Sequence, residues 1–115
     1  MFGAEMEDES WGEFCNTFGA SPKNRVIEFF LEAEGLDFGI GDVAEETGLN
    51  RATAYNVMAE LVEEKIIVST RILGRTQLYK LNLGNPKVEA LREVFKLLLE
   101  RIAQEHTVGE ELLAH

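Results

Sequence analysis

The chain has 115 residues, 45% of them hydrophobic and 28% charged, which is room for one domain with a single modest core. Pro (2) and Gly (10) are not in excess, no apolar run reaches the ~18 residues of a membrane span, and the acidic start MFGAEMEDES lacks the order of a signal peptide, so a cytoplasmic protein without membrane attachment is expected. A lone Cys15 excludes a disulfide framework and reads as a small buried hydrophobe.

Eleven basic against twenty-one acidic residues give a formal charge of −10, and the charge is unevenly spread. Residues 1–20 hold five acids and no base, and residues 21–50 hold seven acids and two bases. From Lys65 to Val88 there are five bases (Lys65, Arg71, Arg75, Lys80, Lys87) and no acid. An acidic chain that keeps one stretch clear of acids reserves it for a negatively charged partner or for a solvated surface.

In chain order, residues 1–9 read as a loose arm. Trp11, Phe14, Cys15 and Phe18 follow at helical spacing, with Ser10 and Glu13 as a capping box. Ser21-Pro22 opens a second helix, with Val26, Ile27, Phe29, Phe30 and Leu31 on its buried side and Gly35 as its stop. Leu36–Ile40 is an extended link, Asp42–Thr47 a two-turn helix, Gly48-Leu49-Asn50 a turn, and Arg51–Lys65 a longer helix. Ile66–Leu73 and Thr76–Leu83 are strands about the Gly74-Arg75 break, the second with Tyr79, Leu81 and Leu83 on one face. Gly84-Asn85-Pro86 then launches a helix to about Gln104, and Leu112 and Leu113 of the acidic tail could dock.

The segment DVAEETGLNRATAYNVMAEL carries the strongest signal. Two helices that cross closely need a small residue at the crossing, met by Ala44, and a turn residue that accepts positive φ, met by Gly48. Val43, Leu49, Ala54, Val57 and Leu61 supply the buried seam, and Asn50 caps the second helix through the N–H of Ala52 or Thr53. Arg51, Thr53, Tyr55 and Asn56 project from its first two turns, and no acid appears before Glu60. Arginine suits guanine edges or phosphate and asparagine suits adenine. Arg71, Arg75 and Gln77 surround the hairpin turn, where a basic ribbon could lie along a backbone or minor groove.

With these residues on the page, Ser21–Leu83 resembles the winged-helix domains of MarR-, ArsR- and TrmB-type prokaryotic regulators, especially small archaeal ones. The resemblance rests on Val43-Ala44, Gly48-Leu49, Ala54, Val57 and Leu61, then on a hairpin with Gly-Arg at its turn and Tyr-x-Leu in its returning strand. It implies a mostly α fold with a small β-hairpin (α+β): a winged helix-turn-helix with an extra N-terminal helix and a long C-terminal helix. It implies contacts to double-stranded DNA from Arg51, Thr53, Tyr55 and Asn56 on the recognition helix and from Arg71 and Arg75 on the wing. Metal-sensing members use paired Cys and His ligands, whereas this chain offers Cys15, His106 and His115, so neither metal nor cofactor is expected.

In the last helix Val88, Leu91, Phe95, Leu98 and Ile102 follow gaps of 3, 4, 3 and 4, a heptad seam suited to a second copy of the chain or to its own domain. The expected division is residues 1–20 as arm and short helix, 21–84 as DNA-binding domain and 85–115 as dimerisation helix and tail. The leading expectation is a homodimeric, sequence-specific regulator of transcription. The alternatives are a protein-interaction module of the transcription or partition machinery, or a general DNA-coating protein. No phosphate loop, dinucleotide turn, His-Glu metal motif or activated nucleophile points to an enzyme.

Overall fold

The computed structural model describes residues 11–114, with side chains for residues 11–105. Among them five helices surround one hairpin: α1 (Glu13–Phe18), α2 (Pro22–Glu32), α3 (Ile40–Thr47), α4 (Arg51–Glu63), β1 (Ile67–Leu73), β2 (Thr76–Leu81) and α5 (Pro86–Ala114). This is a winged helix-turn-helix of the α+β class. The expected cap Ser10, the acidic arm and the side chains of His106, Leu112, Leu113 and His115 lie outside the described residues.

Helix α1 begins at Glu13 with Gly12 as its N-cap, and no side chain of its own caps it. The cap arrives from α2: Gly12 N donates to Glu28 Oε1 at 2.8 Å and Cys15 N donates to Glu28 Oε2 at 3.1 Å. Glu28 is fully buried and also takes Arg25 Nη1 at 3.1 Å. A Cβ on Gly12 would stand 3.0 Å from Glu28 Oε2, so a side chain there would push the carboxylate back by a few tenths of an ångström. Trp11, Phe14 and Cys15 are buried as expected, whereas Phe18 is mostly exposed because the chain leaves the body at Gly19. Arg25 lies 6.0 Å from the centre of the Trp11 ring.

Ser21 caps α2 by accepting from Asn24 N at 3.0 Å, with Pro22 in the first turn. The helix stops at Glu32, before the expected Gly35, which instead takes φ +88° in the turn that follows. The link to α3 does more than connect. Phe38 pairs with Tyr79 through N–H···O bonds of 2.8 and 2.9 Å, adding a third line of pairing to the sheet on the side of β2 away from β1. Helix α3 starts at Ile40, two residues earlier than its sequence suggested, since Asp42 Oδ2 accepts from Gly39 N at 3.3 Å.

The two strands are antiparallel, with Ile67 opposite Leu81 and Ser69 opposite Tyr79. Between Ser69 and Ile72 the register slips, and the pairing resumes as Ile72 with Gln77 and Leu73 with Thr76, leaving Thr70 and Arg71 opposite Leu78 alone. The extra residue belongs to β1, and β2 itself does not show the simple alternation expected for it. Leu78 and Leu81 are the buried residues, Tyr79 is half-buried and Leu83, beyond the strand, is exposed.

Helix α4 ends two residues before Lys65 in a Schellman motif. Ile66 N donates to Leu61 O at 2.9 Å, Lys65 N to Val62 O at 3.0 Å, and Lys65 itself takes φ +62°. Asn82 and Asn85 clamp this corner by donating their side-chain amides to Lys65 O at 3.0 and 2.9 Å. The wing is thereby tied at its base to the end of α4.

The core gathers Phe14, Val26, Phe29, Phe30, Val43, Val57, Met58, Leu61, Ile67, Leu81 and Val88, with Phe38, Tyr79, Leu91 and Phe95 packed on it. Helix α5 continues to Ala114, ten residues past the expected stop at Gln104, since no proline or turn sequence interrupts it.

Candidate nucleic-acid interface

The crossing of α3 and α4 is built as the residue types require. Gly48 adopts φ +77° and its N–H bonds Ala44 O at 3.0 Å. Thr47 is buried and donates its hydroxyl to Val43 O at 2.6 Å, which closes the turn from inside. Asn50 Oδ1 accepts from Thr53 N at 2.8 Å and starts α4. Val43, Ala54, Val57 and Leu61 are buried and Leu49 is half-buried, so the seam locks one face of α4.

The opposite face is open. Arg51, Tyr55 and Asn56 are exposed and Thr53 is half-buried. Arg51 and Arg75 enter no ion pair among the described residues. Two of the three acids at the far end of α4 are engaged by Lys23, whose Nζ bonds Glu60 at 2.6 Å and Glu64 at 2.9 Å. Glu60, through that hydrogen bond to Lys23, titrates below the ordinary carboxylate range.

The start of α3 brings the recognition face and the wing to one side. A Cβ on Gly41 would lie 3.1 Å from Arg51 Nη1, so this guanidinium crosses the first turn of α3. A Cβ on Gly39 would lie 2.5 Å from the Thr76 methyl, so the wing's returning strand starts against the cap of the same helix. Arg51 and Thr76, the first residue after the hairpin turn, therefore both lie against the start of α3.

Two wing candidates are less free than their residue types suggested. Arg71 Nε donates to Asp37 Oδ2 at 3.1 Å and Thr70 Oγ1 donates to the same oxygen at 2.6 Å. The Arg71 guanidinium, with Thr70 second, holds the Asp37 carboxyl below its usual range, and Asp37 in turn raises Arg71. Gln77 spends its amide donors on Arg71 O and Leu78 O, each at 3.0 Å, which satisfies carbonyls beside the bulge. Only its carbonyl remains for a partner. Asp37 was missed because it sits 34 residues before Arg71, in a link read as a plain connection. Glu28 offered a signal, being one acid inside the run VIEFFL.

The expected dimer seam divides. Val88 is fully buried within its own chain, and Leu91 and Phe95 are half-buried against the same core. Leu98 is half-buried, while Ile102 is exposed together with Leu97 and Leu99. A groove of about 550 Å³ beside Leu31, Phe95 and Leu99 is rimmed by Glu32, Glu34 and Glu89. Arg92 bonds both Glu34 and Glu89 at this rim. No described helix is long and apolar enough to cross a membrane, and no cluster of three His, Cys, Asp or Glu among the described residues is placed to hold a metal.

Fold and site together define a winged helix-turn-helix protein. Within it, residues 25–71 match the IclR helix-turn-helix domain, a span that runs from the first turn of α2 to Arg71 of the wing. No curated protein sequence matches the chain. Among solved structures the chain is similar to a cysteine-to-serine mutant of Lactococcus lactis ZitR in complex with DNA, at TM-score 0.57 and 16% identity over 76% of this chain and 60% of that one. It is similar to the homodimeric winged helix-turn-helix DNA-binding domain of Mb0332 from Mycobacterium bovis, at TM-score 0.54 and 16% identity, covering 74% and 73% of the two chains. It is also similar to Bordetella bronchiseptica BpsR, whose DNA binding is regulated by 6-hydroxynicotinic acid, at TM-score 0.50 and 25% identity over 74% and 58%. The chain thus spans about three-fifths of the length of the ZitR chain.

Proposed function

We propose that the chain is a homodimeric, sequence-specific regulator that lays α4 in the major groove of double-stranded DNA and the wing along the adjoining backbone or minor groove. The observation that carries this is that Arg51 lies against the first turn of α3 and Thr76 of the wing against the cap of the same helix, while Tyr55, Asn56 and Arg75 are exposed. Arg51, Thr53, Tyr55 and Asn56 read or orient on the groove, and Arg75 binds phosphate. Arg71 joins them once Asp37 releases it, and Gln77 serves the wing's own backbone.

Residues 21–84 act as the DNA-binding unit, 85–115 as the dimerising segment and 1–20 as its arm and short helix. Dimer contacts fall on Leu98 and Ile102, joined by Leu97 and Leu99, since Val88 is already spent and Leu91 and Phe95 largely so. Two copies present two recognition helices to half-sites roughly 34 Å apart. Of the neighbouring families we place the chain with small MarR-, ArsR- and TrmB-type regulators. Mb0332, described as a possible ArsR-family regulator, supports that placement.

The formal charge of −10 favours one rival, a protein-interaction module. Anisotropy of a labelled duplex against salt separates the two. Binding that weakens with a slope near −0.9 per phosphate contact is expected, and no binding at low salt overturns the proposal.

A further inference from the structure

Two large apolar side chains stand in solvent at the far end of the wing, Ile72 at 66% exposure and Leu73 at 61%. They are consecutive in a two-stranded ribbon, so they leave it on opposite faces. Ile72 pairs across with Gln77 and Leu73 with Thr76, immediately before the turn at Gly74, which holds φ +65°. The protein's own body covers neither, and a flat partner would cover one face and leave the other wet. A slot with two walls accepts both.

Charge says what kind of slot. The ribbon lies within the 24 residues free of acids, Arg75 stands just across Gly74 from Leu73, Asp37 meets the ribbon at Thr70 and Arg71, and the rest of the chain is acidic. The complementary walls are therefore negative outside and apolar within. The minor groove of DNA has that character: about 6 Å wide, walled by sugar carbons and edged by phosphates. Apolar side chains that enter it wedge between base steps.

We infer that Ile72 and Leu73 form an apolar prong that enters the minor groove while Arg75 holds the phosphate edge. This rests on the DNA-binding reading above. The prong meets the groove floor, where guanine alone carries a protruding amino group, so it disfavours G·C pairs for a reason unconnected with α4.

The test uses the full chain at low salt and two dye-labelled duplexes that differ only in inosine replacing guanine. Their major grooves are identical, and the inosine duplex lacks the minor-groove amino group. The wild type is expected to bind the inosine duplex about tenfold more tightly. Ile72→Ser/Leu73→Ser and the milder Leu73→Ser, each checked for an unchanged melting temperature, are expected to lose that preference. Arg75→Ala should weaken both duplexes alike and keep it. Equal wild-type affinity for the two duplexes, or a preference that survives in the serine variants, overturns the prong. A halved solution mass for those variants with the preference intact assigns the tip to a second copy of the chain instead. Failure of the wild type to bind either duplex overturns the DNA-binding reading itself, and so is distinguishable from failure of the prong.

Discussion

Glu28 carries the largest single electrostatic responsibility in the core. It accepts from Gly12 N and Cys15 N, and it pairs with Arg25, whose side chain is only 11% exposed. Glu28→Ala removes all three acceptances at once. Charge-assisted bonds contribute ~1.5–3 kcal/mol each, and since Arg25 keeps Glu32 at 3.7 Å and Glu46 O at 3.2 Å, the loss falls mainly on the two N–H groups of α1 left without an acceptor. The docking of α1 opposes this through burial of Trp11 and Phe14, worth roughly 1.5–3 kcal/mol for each large side chain. The two quantities are comparable, so the substitution should lift α1 from the body while the helix-turn-helix stays folded. Trp11 is the single tryptophan and reports the event directly. In urea, Glu28→Ala should show a red-shifted Trp11 emission that precedes the loss of far-ultraviolet ellipticity, whereas in the wild type the two transitions coincide. Glu28→Gln, which keeps acceptor oxygen but not charge, should fall between. A loss below about 1 kcal/mol with an unchanged Trp11 spectrum would refute the account of Glu28 as the cap of α1.

Asp37→Asn should release Arg71 and remove a negative charge beside the wing, raising duplex affinity several-fold and steepening the salt slope by about one unit; unchanged affinity and slope would show that Arg71 never reaches phosphate. Because Arg71 and Thr70 depress the Asp37 carboxyl, its contribution to the folded state is complete above the ordinary carboxylate range. That contribution is lost only as pH falls through the lowered value, and a pH titration of the melting temperature for wild type and Asp37→Asn checks this. Glu32 is displaced in the other direction, chiefly by burial and secondarily by Glu28, so its charge opposes folding at neutral pH. Glu32→Gln should therefore raise the melting temperature at pH 7 and flatten the gain in stability that the wild type shows as pH falls through the raised value. Asn56→Ala should cost ~1–3 kcal/mol at one base position, whereas equal losses on specific and random duplex would remove Asn56 from base reading. Ile102→Lys should halve the mass in solution by sedimentation, and an unchanged mass would place the dimer contact elsewhere than on α5.

What the residues determined unaided was most of what depends on near neighbours in the chain, apart from where several helices begin and end. The Gly48 turn, the Asn50 and Ser21 caps, the hairpin and the seam of Val43, Ala54, Val57 and Leu61 were legible because caps, turns and helical faces repeat over a few positions. Exposure of Arg51, Tyr55 and Asn56 followed from the same periodicity, since a helix with one buried face has the other in water. Tertiary structure decided which partners those groups met. A stretch without acids was not a surface without acids, because Asp37 crosses from the far side of β2 to Arg71. A heptad spacing could not say that Val88 would be consumed by its own core, since one apolar stripe suits either partner. Glu28, an acid among aliphatic and aromatic residues, found its purpose in a helix that begins 15 positions earlier. Sequence patterns encode local geometry, whereas long-range pairing of charges depends on how packed elements close on one another, and no spacing rule records that.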